Sequence, residues 1–221
     1  MVLAMGKTAK RPTAANGNVK VTREDWLKLA LDTLISDGVE SVRVLSLGQK
    51  LGVSRSSFYW YFQSRQDLLD QLLAYWRETN THFIVDRASR PSATIIRGVM
   101  SVFECWLDVK LFDPRLDFAI RAWARQSGSV RRRIDQADDE RVAAIRDMFL
   151  RHGYAPDDAF VRARVLYFMQ IGYYSLELHE PLDNRLSLVA AYLRSFTGQE
   201  PTHEDITDFA VYAKSVNSVQ K

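Results

Sequence analysis

Apolar residues recur at helical spacing along most of this chain, and no stretch shows the strict alternation of apolar and polar residues that is typical of a half-exposed strand. The first apolar stripe begins after Thr22 and ends at Gly38, where a glycine lets the chain leave a helix. Thr22 and Asp25 have the spacing of a capping box, which marks the start of that helix. The pattern predicts an all-α protein.

Two short helices joined by a glycine turn are predicted within residues 42–70. Leu47 and Leu51 lie one turn apart on the inward side of the first helix, and Gly52 follows where the chain must adopt a left-handed conformation. A helix-turn-helix of this kind presents one face of its second helix to the major groove of DNA. The inward face of that second helix carries Val53, Phe58 and Phe62, and its outward face carries Arg55, Ser56 and Tyr59.

Residues 51–69 read Leu-Gly-Val-Ser-Arg-Ser-Ser-Phe-Tyr-Trp-Tyr-Phe-Gln-Ser-Arg-Gln-Asp-Leu-Leu, and this segment resembles the signature of the tetracycline-repressor (TetR) family. The resemblance covers roughly residues 22–75. It implies an N-terminal three-helix DNA-binding head, a larger helical body that dimerises and binds a small molecule, and repression that the ligand relieves. Two positions differ from the family pattern: Arg43-Val44 stands where a capping Ser or Thr is usual, and Gly48 where Ala is usual. Both differences should weaken the first short helix modestly.

The resemblance assigns a set of residues in and after the second short helix to DNA. Arg55 is long enough to reach a guanine edge, whereas Tyr59, Tyr61 and Arg65 are suited to phosphates. The alternative is that the adjacent aromatics are core, but three of them on so short a helix cannot all face inward. The full set is Arg55, Ser56, Ser57, Tyr59, Trp60, Tyr61 and Arg65.

Charge is distributed in agreement with this interpretation. The chain carries a formal net charge of +3, of which residues 1–77 carry +4 and the remainder −1. Residues 1–20 hold no acidic residue and are expected to form a disordered basic tail, which could either reach a minor groove or only aid solubility. We therefore expect three parts: the tail, a DNA-binding domain over 21–67, and an effector-binding and dimerisation domain over 68–214.

The body is predicted to consist of helices separated by proline and glycine breaks. A long helix that begins after Ser64 should join head to body. The helices near 157–179 and 185–197 combine small residues with apolar ones such as Val165, Val189 and Leu193, so we expect them to pair with their copies in a homodimer.

A ligand pocket is expected where aromatic residues of the body lie near a few polar groups, because small-molecule sites are mostly apolar. Each of these residues could equally be plain core, and Asp117 and Arg121 could simply pair on a helix surface. The candidates are Met100, Phe103, Glu104, Trp106, Phe118, Arg121, Trp123, Phe149, Tyr167, Gln170 and Tyr173.

Catalysis finds no support in the sequence, which lacks a phosphate loop, a nucleophile elbow and any metal-ligand spacing beyond Glu177, His179 and Glu180 at a helix end. We expect neither cofactor nor metal. The single Cys105 and the lack of a long apolar run favour a cytoplasmic protein that does not associate with membranes. The function that follows is a sequence-specific DNA-binding regulator, most simply a repressor released by a small apolar or aromatic ligand. An activator or an effector-independent DNA-binding protein stays open.

Overall fold

A computed structural model describes residues 21–178 and 180–219 of the chain. Across these residues the chain forms helices and connecting turns and no strand, which confirms the all-α expectation. The predicted basic tail over 1–20 and His179 lie outside the described residues. No helix in the described ranges combines the length and the hydropathy that crossing a bilayer requires.

The head is a three-helix unit held by one apolar core. Thr22 and Asp25 form the predicted capping box, with Thr22 N donating to Asp25 Oδ2 at 2.8 Å. Gly52 has a φ of 69°, the left-handed conformation that the turn requires. Gly48 is equally constrained, since a Cβ there would lie 3.2 Å from the carbonyl oxygen of Val53. The helices are α1 (Arg23–Asp37), α2 (Val44–Leu51) and α3 (Arg55–Phe58).

The connection from head to body is a long helix interrupted at its middle. It consists of α4 (Arg65–Trp76), a π-helical turn (Arg77–His82) and α5 (Phe83–Ser89). Asn80 in this turn is fully buried; its Nδ2 donates to the carbonyl oxygen of Asp113 at 2.8 Å, and its Oδ1 accepts from Asp113 N at 3.3 Å. These hydrogen bonds give the buried Asn80 amide its partners in a turn whose backbone hydrogen bonds depart from the α-helical pattern.

The body is a bundle of the helices α6 (Ile95–Leu107), α7 (Pro114–Ala124), α8 (Gly128–Arg151), α9 (Pro156–Ser175), α10 (Leu182–Ser187), α11 (Val189–Thr197) and α12 (His203–Val219). The long helix α8 lies at its centre and packs against α5, α7 and α9. The last helix, α12, closes one side of α6, where Arg97 forms ion pairs with Asp205 and Asp208.

Head and body share an apolar core. Trp26 of α1 belongs to a cluster that continues through α4 into α7 and the first half of α8, where Leu116, Ile120 and Ile134 are buried. The head therefore packs directly on α7, and a displacement of α7 would act on α1.

Candidate DNA interface and ligand pocket

The polar face predicted for α3 is exposed in the structure. Phe58 and Phe62 are buried and stacked on each other, with ring centroids 5.0 Å apart, and they fix the helix to the head core. Tyr59 and Trp60 lie on the outside, with 46% and 78% of their surface exposed. Two aromatic residues at the surface of a three-helix unit indicate a binding face rather than core.

Arg55 is held in place by Tyr59, one turn further along. Its Nη2 donates to Tyr59 Oη at 2.9 Å, and the guanidinium carbon lies 5.6 Å from the centroid of the Tyr59 ring. The pair orders a long side chain before any ligand arrives, which reduces the entropy lost on binding. Four of the five N–H donors of a guanidinium remain for other partners.

The serines at the start of α3 differ in exposure. Ser56 is exposed and its Oγ lies 2.7 Å from Ser54 Oγ, whereas Ser57 is half-buried and donates to the Ser54 carbonyl at 3.0 Å. Ser56 is therefore better placed than Ser57 to meet a ligand of this face.

Tyr61 and Arg65 bind to the head itself. Tyr61 Oη donates to the carbonyl of Val21 at 2.9 Å, and Arg65 donates to the carbonyls of Val39 and Val42 at 2.7 and 2.6 Å. A tyrosine hydroxyl has one proton to donate, so this bond leaves none for a phosphate. Both residues stabilise the ends of α1 and the turn after it. Arg65 keeps three further N–H groups, so its phosphate role stays a prediction.

A pocket that is partly open to solvent lies in the body between α6, α9, α10, α11 and α12. Its walls are mostly apolar, as in small-molecule sites generally. The residues that line it are Met100, Phe103, Leu107, Met169, Gln170, Tyr173, Glu180, Leu182, Arg185, Leu186, Val189, Tyr192, Leu193 and Phe209.

Four of the eleven pocket residues expected from the sequence line this pocket, namely Met100, Phe103, Gln170 and Tyr173. The other seven face other neighbours and do not line the pocket.

These seven residues divide by their surroundings. Trp106 and Phe149 lie in the core of the body, and Trp123 lies in the core shared with the head. Glu104 pairs with Arg87, and Phe118 is half-buried on α7. Arg121 and Tyr167 belong to a polar cluster. The lining from α10 to α12 was missed, although Leu182, Leu186, Val189 and Leu193 have the spacing of one helical face.

The polar cluster is centred on Arg141 and Asp117, both fully buried. Asp117 Oδ1 accepts from Trp76 Nε1 at 2.8 Å and from Arg141 Nη2 at 3.2 Å, and its Oδ2 accepts from Arg121 Nε at 2.7 Å. Arg141 Nη1 also donates to Tyr167 Oη at 2.8 Å. Burial by itself would raise the pKa of Asp117, but the two guanidinium groups hold that pKa below its usual range. Asp117 and Arg121 do pair, as in the alternative to a pocket role for Arg121, but Asp117 is fully buried rather than at a helix surface.

Cys105, a further candidate for chemistry, is buried. Burial raises the pKa of the Cys105 thiol to about 12, so almost none of the nucleophilic thiolate forms at neutral pH. In the part of the chain that the structure describes, no group of three or more His, Cys, Asp or Glu side chains could hold a metal.

Comparison with known proteins places the head in a family. The family model described as bacterial regulatory proteins, tetR family, matches residues 27–72. The HTH-type transcriptional regulator TtgW of Pseudomonas putida is 27% identical over 139 residues, 62% of this chain and 98% of that protein. The class A tetracycline repressor of transposon 1721 from Escherichia coli is 36% identical over 59 residues, only 26% of this chain and 27% of the repressor.

Solved structures share the fold over most of the chain. A TetR-family transcriptional regulator from Rhodococcus sp. superposes with a TM-score of 0.57 at 15% identity, covering 79% of this chain and 98% of that one. AmtR of Mycobacterium smegmatis gives a TM-score of 0.55 at 18% identity, covering 92% and 97%. Identities this low establish the fold and say nothing about the ligand.

Proposed function

The chain belongs to the tetR family of bacterial regulatory proteins and is not an enzyme, and from this premise we propose that it is a dimeric repressor that leaves its operator when a small, largely apolar molecule enters the body pocket. The observation that carries the proposal is the exposure of Arg55 in α3 and of Tyr59 and Trp60 directly after it, in a segment that Phe58 and Phe62 hold to the head core. It would act in the cytoplasm, where the operator DNA lies.

Arg55 is the proposed base reader. Ser56, Tyr59 and Trp60 supply the surrounding contacts to sugar, phosphate and base faces, which position the helix without reading sequence. Tyr59 orients Arg55 through its hydroxyl, so the two act as one unit.

The first prediction concerns this assignment. An operator is selected from random duplex DNA with the full-length protein, and Arg55→Ala is measured against every single-base variant of it at fixed salt. Loss of a bidentate contact to guanine costs about 1–3 kcal/mol, or about 5- to 150-fold in affinity, at one position of each half-site. Equal losses on every variant would contradict the assignment.

Two further variants serve as controls. Arg115→Ala removes one positive charge from an exposed position on α7 and should leave affinity within about twofold. Arg65→Ala should lower the melting temperature, because the Val42 carbonyl loses its donor and the Val39 carbonyl keeps only the Val42 N–H. The pattern of base preference should stay unchanged.

Homodimerisation is proposed through one face of α9. Val161, Val165 and Phe168 lie at i, i+4 and i+7 on this face with 56%, 52% and 46% of their surface exposed, and Leu176 extends it. Exposed apolar side chains repeated along one helix mark an interaction surface. Val189 and Leu193, expected from the sequence at the interface, instead line the pocket, and Leu193 is only 2% exposed.

The proposed route from pocket to head runs through the end of α6 and through α7. Leu107 lines the pocket at the end of α6, and Phe112 in the following turn stacks on Tyr174 with ring centroids 5.9 Å apart. The turn leads into α7, on which the head packs. Recognition helices must meet major grooves about 34–36 Å apart, so a modest tilt of α7 would take the two heads out of register.

The second prediction follows from linkage. A ligand that weakens operator binding 100-fold has about 2.7 kcal/mol of coupling, and the operator must weaken ligand binding by the same factor. Titrating a ligand that binds the pocket into the protein, with and without the selected operator, measures how far the operator weakens ligand binding. Titrating the operator with and without that ligand measures the reverse effect. Equal ligand affinities in the two titrations would eliminate the switch and favour an effector-independent DNA-binding protein.

A further inference from the structure

The amide nitrogen of Gln170 lies in the pocket wall without a hydrogen-bond partner. The residue is only 3% exposed, so this nitrogen is shielded from bulk solvent. Its polar neighbour is the Tyr174 hydroxyl, which already donates to the carbonyl of Trp106 at 2.5 Å. An amide nitrogen carries two N–H groups, and one hydroxyl oxygen can accept at most one of them beside its own donation. At least one buried donor is therefore left for an acceptor atom that enters the pocket.

Arg185 supplies a positive charge to the same part of the pocket. The residue is half-buried, and its guanidinium carbon lies 5.3 Å from the centroid of the Tyr173 ring. Among the described residues, no carboxylate oxygen lies within 4 Å of its guanidinium nitrogens, although most arginines of the body have such a partner. Burial raises the pKa of the Tyr174 hydroxyl, and the charge of Arg185 is the strongest opposing influence on that pKa. Arg185 and Gln170 therefore both act on the corner of the pocket next to Tyr174.

Glu180 is the one acidic residue in the lining and it weakens this positive field. It is exposed, and its Oε2 accepts from the Tyr173 hydroxyl at 3.1 Å. Solvent screens an exposed carboxylate far more than a half-buried guanidinium. The net charge near Arg185 therefore favours binding of an anion. Glu180 should reduce the affinity of the pocket for that anion by a small factor.

The rest of the lining determines the body of the ligand. Phe103, Leu107 and Met169 stand among other apolar side chains, with Phe209 of α12 closing one side. Methionine side chains adapt to irregular shapes and make favourable contacts with aromatic rings. A compact ring system fits such walls better than a polar molecule.

We infer that the ligand is an aromatic or similarly compact apolar carboxylate, whose ring occupies the apolar walls and whose carboxylate accepts from Gln170 Nε2 and balances Arg185. The inference rests on the proposed function, since it names the class of effector for that pocket. It requires a charge-assisted hydrogen bond, which is shorter and stronger than a neutral one.

Three probes of the same shape separate the contributions. 2-Naphthoate carries the carboxylate, 2-naphthamide keeps a carbonyl acceptor without the charge, and naphthalene has neither. We expect calorimetric titration of the full-length protein at neutral pH to give at least a tenfold preference for the naphthoate over the amide. The amide should in turn bind better than naphthalene. Equal affinities for naphthoate and amide, or no binding of 2-naphthoate, would overturn the inference.

Three variants assign the preference to residues. Arg185→Gln should abolish the difference between naphthoate and amide, and Gln170→Leu should weaken both about tenfold while naphthalene binds as before. Glu180→Gln is the opposite control and should tighten 2-naphthoate by about two- to fivefold without affecting the amide. Gln170→Leu should keep or raise the melting temperature, because it removes an unpaired buried donor, so weaker binding cannot be ascribed to misfolding. Naphthoate binding that is insensitive to both Gln170→Leu and Arg185→Gln would contradict the assigned site.

Adding the selected operator to these titrations separates this inference from the proposed function. Tight, Arg185-dependent binding of 2-naphthoate that leaves operator affinity unchanged would retain the ligand class and refute ligand-controlled release. A neutral probe that binds best and still releases the operator would retain the switch and refute the carboxylate.

Discussion

Replacing Asp117 with asparagine should lower the free energy of unfolding by about 3 kcal/mol, because it leaves the buried charge of Arg141 without its closest carboxylate. For a chain of 221 residues this corresponds to a fall of roughly 6–12 °C in melting temperature. The asparagine oxygen can still accept from Trp76, so the loss reports the charge rather than the shape of the side chain. Thermal unfolding followed by circular dichroism measures it.

The pH dependence of this difference tests the cause. The folded-state pKa of Asp117 is lowered from its ordinary value, so its ionisation contributes stability that is fully present above the unfolded pKa of about 3.9. That contribution is lost as the pH falls toward the folded pKa. The gap between wild type and Asp117→Asn should therefore be constant near neutrality and shrink below about pH 4.

Asp135→Asn is the matched control, because Asp135 forms an exposed pair with Arg131 four residues away on α8. Such a pair contributes only about 0.3–0.5 kcal/mol. A melting temperature for Asp117→Asn no lower than that of Asp135→Asn would show that the buried cluster does not hold the fold together.

The cluster also bears on signalling between pocket and head. Trp76 ends α4 just before the π-helical turn, Asp117 lies on α7, and Arg141 lies on the central helix α8. Asn80 fastens the same turn to Asp113 at the start of α7. Buried hydrogen bonds thus link α4, the π-helical turn, α7 and α8, which join the head to the body. Hydrogen bonds in a buried network restrict these elements to few alternative geometries.

Local features made the head predictable from sequence. The Thr22 cap, the left-handed Gly52 and the inward pair Phe58 and Phe62 each depend on residues at most four positions apart. The exposure of Arg55 followed from the same helical period. Such signals can be read from the chain without knowing its tertiary contacts.

The pocket and the cluster depend on contacts distant in sequence, and the prediction was correspondingly incomplete. Gln170 faces a wall built from α10 and α11, and Arg141 meets partners 24 and 60 positions away in Asp117 and Thr81. Arg141 looked like one more charge in a polar helix, since nothing local marks a buried arginine. The π-helical turn was missed for the same reason: its buried Asn80 is satisfied by Asp113, 33 positions away.

Placing charges on the exposed face of α9 should abolish both dimerisation and tight operator binding. Val165→Asp combined with Phe168→Asp adds two negative charges to the centre of the proposed interface, where the two copies would repel each other. Sedimentation velocity at micromolar concentration should then show a monomer. Operator affinity should fall by about 10²–10⁴-fold, because a dimer holds its second head at a high effective concentration over the second half-site and a monomer does not.

The control places the same charge on apolar surface outside this face. Val211 on α12 is 64% exposed, and Val211→Asp should leave the dimer and operator affinity unchanged. Binding of the naphthoate probe separates the interface from the pocket, since Val165 and Phe168 do not line it and a folded monomer should retain the ligand site. A double variant that remains a dimer would move the interface away from α9. A monomer that binds the full operator as tightly as wild type would show that operator binding does not require two heads. It would therefore also contradict release of the operator by a change in head spacing.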